Sequence, residues 1–292
     1  MYNSDFNNNY AEYCVFKDCR LNNVNYVISL PTAVSRRQHI RNVFQQQNVP
    51  FEFFDAISPD IGLNAAIDRF VPNLQQAEHL TAGEKSCFMS HVSLWQKCLD
   101  DNLPYIAIFE DDILLGENAG DFLSDYQWFE SRFDLFRPII LKLETALGKT
   151  NFKPLHHIDA YKSRQFMRLT AGRAHIGMAG YIISQATAKA LLRYIKTLSA
   201  QTLKAIDLIL FDDLLKNPDF QLVQLYPAIC VQDSFYNKNN VTLLSSLEVE
   251  RAHFKKVRPY TKPKSLFDVV RKIVTTPYRK YLKFQRRIVP FK

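Results

Sequence analysis

The sequence predicts an α/β protein built on a mostly parallel central sheet. Strand, helix and strand signals follow one another between residues 23 and 57, the opening of such a sheet. The same alternation persists to about residue 236. At 292 residues, 47% hydrophobic and 23% charged, the chain can bury one sizeable core.

In order, "NVNYVISL" (Asn23–Leu30) reads as a buried strand, and "SRRQHIRNVFQQQN" as a helix with Ile40, Val43 and Phe44 at helical spacing. "PFEFFDAI" gives a second, aromatic strand ending at Asp55 and Ala56. In "LTAGEKSCFMSHVSLWQKCL", Thr81 and Glu84 stand in capping-box spacing, and Phe88, His91, Val92, Trp95 and Leu99 recur at helical intervals. "NLPYIAIFEDDILL" is a turn, a buried strand and three consecutive carboxylates. "GMAGYIIS" reads as a strand, "QATAKALLRYIKTL" as a helix, "AIDLILFDDLLKN" as a short amphipathic helix and "FQLVQLYPAICVQD" as a last strand.

This organisation divides the chain into a polar, Asn-rich extension (1–21), an α/β domain (22–236) and a basic tail (237–292). Eleven Lys or Arg and one acid, Asp268, lie between Arg258 and Lys292, a net +10 that leaves residues 1–257 at −2 of the chain's +8. In the tail, Leu266, Phe267, Val270, Ile273 and Val274 recur at helical intervals beside Arg271 and Lys272. Pro277 is expected to break that pattern before a second basic-aromatic run. Such a segment can lie on an anionic bilayer surface or pack on the domain with its charges in water. Its Tyr and Phe among Lys and Arg also suit single-stranded nucleic acid. The slightly acidic remainder speaks against a nucleic-acid partner.

Only 8 glycines and no repeating period exclude a fibre or a repeat array. "MYNSDFNNNYAEY" has no basic start with an apolar region behind it, and no apolar stretch approaches the ~20 residues of a membrane span. The expectation is a cytoplasmic protein, peripheral at most on the inner face of the membrane. The five cysteines (14, 19, 87, 98 and 230) show no paired spacing. Cys87 and Cys98 would be about 16 Å apart along one helix, too far to bridge. Reduced thiols are expected.

The acidic cluster carries the chemistry. Alternation along a strand projects Glu110 and Asp112 to one side and Asp111 to the other. Two carboxylates about 4 Å apart repel by roughly 4 kcal/mol at an effective dielectric near 20. A divalent cation removes that penalty, and oxygen ligands suit Mn²⁺ or Mg²⁺. At the carboxyl end of a sheet strand such a cation would neutralise a diphosphate. A solvated acidic loop would have the same spacing, and clustered carboxylates also suit a metal-dependent phosphodiesterase or phosphatase.

"LTAGEKSCFMSHVSLW" followed by "PYIAIFEDDILL" resembles glycosyltransferase family 25, the lipopolysaccharide sugar transferases, which are themselves similar to the collagen galactosyltransferases. Leu80, Thr81, Gly83, Glu84, Cys87, Ser90, His91 and Trp95 match the family pattern, and Ser86 stands where it has glycine. "VISLPTAVSRRQHI" with "PFEFFDAI" resembles the family start, with Pro31 and Thr32 in place of a charged pair. "GMAGYIIS", "AIDLILFDD" and "YPAICVQD" follow in family order, so the resemblance spans about 22–236.

The resemblance implies a GT-A-like nucleotide-sugar-binding domain, an inverting transfer, a UDP-galactose donor and Mn²⁺, with a lipooligosaccharide or other lipid-linked saccharide as acceptor. By that match Asp112 holds the metal. Glu110 binds the metal or the ribose, and Asp111 stands beside the donor. Asp207 supplies the base or caps its helix. Asp233 is the rival base, and Gln232 touches metal or acceptor. Ser29, Leu30, Arg37, Asp55 and Ala56 make the donor side. His91 joins them or serves as a hydrogen-bonding residue of the core on the apolar face of its helix, and His175 lines the acceptor site. Arg36 reads as an exposed helix residue, Glu84 as the partner of Thr81, Trp95 as core, and His156 and His157 as loop.

Overall fold

The computed structural model describes residues 24–172, 175–238, 241–243 and 266–292, the side chains of 266–274 excepted. The extension 1–21 with Cys14 and Cys19, most of 237–265, and the side chains of Leu266, Phe267, Val270, Ile273 and Val274 lie outside the described residues.

The strands are β1 (Asn25–Ser29), β2 (Glu52–Asp55), β3 (Tyr105–Glu110), β4 (Ile113–Leu115), β5 (Ile139–Lys142), β6 (Glu144–Thr145), β7 (Lys149–Thr150), β8 (Phe152–Pro154), β9 (Gln165–Leu169), β10 (Gly180–Ser184), β11 (Gln221–Tyr226), β12 (Cys230–Gln232) and β13 (Arg287–Ile288). Helices Val34–Gln46, Leu63–Phe70, Ala82–Asp100 and Gln185–Thr197 lie between them. The central sheet has the order β2-β1-β3-β10-β5-β11-β9-β8. Following the pairings, six of its eight strands point one way, while β10 and β9 run against them. The sheet is therefore mostly parallel in direction and mixed in pairing.

The Ala82–Asp100 helix begins at Thr81, whose hydroxyl accepts from the Glu84 N–H while Glu84 accepts from the Thr81 N–H, the capping box that the spacing predicts. Its inner face buries Phe88, His91, Val92 and Trp95 against the sheet. β10 passes so close to Cys230 that a Cβ at position 180 would overlap the sulfur, which is why glycine stands there. Among the described residues Cys87, Cys98 and Cys230 form no disulfide, and burial pushes the Cys98 thiol up to about 12.

A second, three-stranded sheet, β4-β12-β6, shapes the site. The chain leaves the main sheet after β5, and the Leu143 carbonyl accepts from the Ile229 N–H at 3.0 Å. β6 then pairs with β12, and β12 sets Gln232 opposite Ile113.

Three expectations change. "AIDLILFDDLLKN" is an α turn (Ile206–Leu208), a π turn (Ile209–Asp213) and a 3-10 turn (Leu214–Lys216). Ile209, Leu210 and Phe211 are all buried, and the wider turn admits three consecutive inward side chains that one helical stripe cannot. "FQLVQLYPAICVQD" is two strands, parted at the cis Tyr226–Pro227 bond where proline has no N–H for the ladder.

The tail also differs. Pro277 lies within the Leu266–Phe284 helix, where the lost N–H removes one hydrogen bond without ending the helix. Beyond it, residues 287–292 belong to the domain. β13 pairs antiparallel with β7, Val289 is buried, and Thr145 donates to the Val289 carbonyl at 2.7 Å. Arg164, itself buried, donates to the Lys292 carbonyl at 2.8 Å. These partners lie more than a hundred residues upstream, where no local pattern reveals them.

Candidate active site

β1 and β3 are parallel neighbours with Ile28 level with Glu110, so Ser29 and the three carboxylates emerge together at the carboxyl end of the sheet. Asp111 turns toward β1. It accepts from the Ser29 hydroxyl at 2.7 Å and pairs with Arg36 at 2.5 Å. Glu110 and Asp112 turn the other way and share one amide. Gln232 Nε2 stands 3.1 Å from Glu110 Oε2 and 3.2 Å from Asp112 Oδ1. The alternation read from the sequence thus separates the cluster into an arginine-bound acid and an acid pair.

Asp112 is only 4% exposed. Burial, and then the charge of Glu110, hold its pKa up to about 8 against the opposing pull of Arg36 and Gln232. Two carboxylates with one shared amide and oxygen donors alone fit a hard divalent cation such as Mn²⁺ or Mg²⁺.

The expected donor side is tied mostly to itself. Arg37 pairs with Asp55 and donates to the carbonyls of Ser29 (2.9 Å) and Leu30 (3.1 Å), and its guanidinium covers the Phe53 ring. The Ala56 N–H takes the Ser29 carbonyl at 3.0 Å. These contacts close the β1–β2 edge. Arg36, expected to face solvent, is the arginine that enters the acidic cluster. One residue turns a helix by about 100°, so if Arg37 faces β2 its neighbour points to β3.

His91 is fully buried beneath Glu110, so it cannot touch a donor from this position. Burial pushes its pKa down to about 3, partly offset by the charges of Asp207 and Glu144. With Cys87 and Glu110 it forms a group whose ligand atoms lie within 4.8 Å of one another. His175 is not open to an acceptor either. Its Nδ1 meets the Thr150 hydroxyl at 2.8 Å and its Nε2 the Thr170 carbonyl at 3.0 Å.

Asp207 is not a helix cap; that position is Ala205. Its carboxylate accepts from the N–H of Gly177 (3.1 Å) and of Leu208 (2.9 Å), and the side chain is partly exposed. Gly177 has φ +89°, and a Cβ there would come 2.8 Å from Glu144 Oε1, so the loop needs glycine twice over. The same loop is held from below by Lys142, which donates to Glu144 (3.0 Å) and to the carbonyls of Ile176 (2.8 Å) and Gly177 (2.5 Å). Lys142 and Glu144 were missed in the sequence. Their signal was two charges, two residues apart, in the apolar run "IILKLET".

Asp233, the rival base, is fully buried. Its oxygens take the Asn237 amide (2.6 Å), the Thr242 N–H (2.7 Å) and hydroxyl (3.1 Å) and the Leu243 N–H (2.8 Å). Burial would raise its pKa, but these bonds outweigh it and leave the pKa lowered. Held by these bonds it anchors 241–243, and a carboxylate whose pKa is lowered this way is a weak proton acceptor.

The profile of the family described as glycosyltransferase family 25 (LPS biosynthesis protein) matches residues 22–210. The lipooligosaccharide biosynthesis protein lic2B of Haemophilus influenzae is 42% identical over 273 residues, covering 92% of this chain and 99% of that protein. The lacto-N-neotetraose biosynthesis glycosyltransferase LgtE of Neisseria gonorrhoeae is 40% identical over 250 residues (85% of this chain, 88% of that protein). LgtB of Neisseria meningitidis serogroup B is 38% identical over 275 residues (91% and 99%). A match over well more than half the chain, with full-length relatives above 30% identity, shows that this protein belongs to glycosyltransferase family 25.

Proposed function

We propose that this protein is an inverting, metal-dependent hexosyltransferase of GT-A type that moves galactose from UDP-galactose onto a lipooligosaccharide or related cell-surface glycan. The observation that carries it is the Glu110–Asp112 pair at the carboxyl end of β3, with a buried Asp112 whose ionisation is unfavourable until a cation compensates it. The relatives' roles in lipooligosaccharide and lacto-N-neotetraose synthesis support the acceptor class. Galactose rests on the family resemblance.

Glu110 and Asp112 would hold Mn²⁺, which when bound supplies the positive charge that stabilises departing UDP. Arg36 fixes Asp111, and Gln232 keeps the pair from splaying apart. Asp207, presented by the Gly177 loop, takes the proton of the acceptor hydroxyl. The hydroxyl oxygen bonds to the anomeric carbon as the carbon–diphosphate bond breaks on the opposite face, and UDP leaves with the electron pair. Product formation from a panel of nucleotide sugars, with and without Mn²⁺, tests the reading. Cation-dependent UDP release from UDP-galactose supports it. Cleavage of simple phosphodiesters instead would favour a hydrolase, and binding of oligonucleotides without turnover an adaptor.

No helix among the described residues is long and apolar enough to cross a membrane. Peripheral docking has its own support. Tyr278, Tyr281 and Phe284 are 62%, 57% and 90% exposed on the last helix, interleaved with exposed Arg279, Lys280 and Lys283. Aromatics suit the headgroup layer, and each cation near an anionic surface contributes about 1 kcal/mol, screened by salt. Truncation is a poor test because residues 287–292 complete the domain. The triple change Lys280→Glu, Lys283→Glu and Phe284→Ser should instead abolish salt-sensitive flotation with phosphatidylserine vesicles while leaving transfer to a soluble acceptor. Undiminished flotation of that variant would rule this surface out.

A further inference from the structure

A chain of fully buried polar groups runs beneath the acid pair. The Tyr181 hydroxyl meets Trp95 Nε1 at 3.0 Å and His91 Nδ1 at 2.9 Å. An indole N–H only donates, so the tyrosine oxygen accepts from Trp95. The hydroxyl proton then has His91 Nδ1 as its acceptor, and burial keeps that proton on the oxygen by raising the Tyr181 pKa well above its usual value. A neutral imidazole with an accepting Nδ1 carries its proton on Nε2. That Nε2 has no hydrogen-bond partner, and Glu110 Oε1 faces it at 3.6 Å. A buried N–H left without an acceptor is destabilising, and a small turn of the Glu110 carboxylate supplies one.

The same protons decide against a cation among Cys87, His91 and Glu110. A metal on Nε2 needs its lone pair, which moves the ring proton to Nδ1. That proton would then confront the Tyr181 hydroxyl proton, and a buried donor would lose its acceptor. The group suits a hydrogen bond to Glu110, not a thiolate-bound ion.

We propose that Trp95 and Tyr181 lock His91 in the Nε2–H tautomer, and that this N–H holds Glu110 Oε1 so that the Glu110–Asp112 pair keeps its spacing. His91 is thereby a positioning residue. It acts through Glu110 and never meets the substrate. The inference rests on the reading of that pair as a cation site.

Two variants separate its contacts. His91→Asn keeps a carbonyl oxygen where Nδ1 meets Tyr181 but reaches no further; His91→Gln adds an amide N–H that reaches Glu110. The half-saturating Mn²⁺ concentration should rise about tenfold or more in His91→Asn, the usual scale for losing a group that orients a ligand, and return to within about threefold in His91→Gln. KM for the acceptor should not move. Nitrogen-15 NMR of the wild-type ring should show a protonated Nε2 and a bare Nδ1. A protonated Nδ1, or equal Mn²⁺ responses in Asn and Gln variants, overturns the proposal. Should the wild type show no response to Mn²⁺, the functional reading fails by itself. The ring tautomer and the Glu110 carboxyl carbon resonance, displaced in His91→Asn and restored in His91→Gln, then still decide for or against the His91 contact.

Discussion

Asp112→Asn is expected to remove detectable transfer while leaving the protein folded, and EDTA-stripped wild type should be equally inactive until Mn²⁺ is restored. The side chain is buried and shares a single amide with Glu110, so its charge is disfavoured below about pH 8, and a bound cation would offset that cost. The sign of the effect on stability follows. In the cation-free protein Asp112 keeps its proton up to about pH 8, whereas in the unfolded chain it loses it near the ordinary aspartate value of 3.8. Between those values the native state binds the extra proton, so this group's contribution to stability falls as pH rises. Asparagine has no proton to lose. The metal-free variant should therefore melt at or above the wild-type temperature at pH 8, and only the wild type should gain stability from added Mn²⁺. Full turnover by stripped protein, or an equal Mn²⁺-dependent Tm shift in the variant, would refute the assignment.

Asp207→Asn should slow transfer by roughly 10²–10⁴-fold, the scale of losing a general base. UDP affinity should change little, because Glu110, Asp112 and the β1–β2 edge are untouched. The structure also gives Asp207 a second task, since its two oxygens accept from Gly177 and Leu208. An amide keeps one acceptor, so a modest drop in Tm is expected beside the kinetic loss. Turnover per folded molecule separates the two. If it stays normal while Tm falls, Asp207 only pins the Gly177 loop. Asp233→Asn should show the opposite pattern, a stability loss without a rate defect of that size, because its buried carboxylate holds Asn237, Thr242 and Leu243 in place.

Much of the fold was legible from local pattern. β1, β2, β3, β10 and the helices at 34–46, 82–100 and 185–197 stand where apolar spacing puts them, and Thr81 and Glu84 form the cap their spacing predicts. The π turn at 209–213 and the broken strand at Pro227 were not legible. Each depends on which side chains the surrounding core accepts, not on the segment's own period. Within the acidic cluster the division between Asp111 and the Glu110–Asp112 pair was legible, because alternation along a strand is set by the backbone itself.

By itself, then, the sequence determined the principal strands and long helices, the family motifs and the position of the carboxylates at a strand end. Only the tertiary structure decided which groups those carboxylates meet. Arg36 reaches Asp111 and Arg37 does not. Gln232 comes from 120 residues away to join Asp112, and Lys142, Glu144, Gly177 and Asp207 converge from three separate segments. The reason is physical. Periodicity and capping act within a few residues and can be read along the chain, whereas a buried charge is satisfied pairwise across the sheet. Sheet order, including the two strands that run against the rest, brings those pairs together.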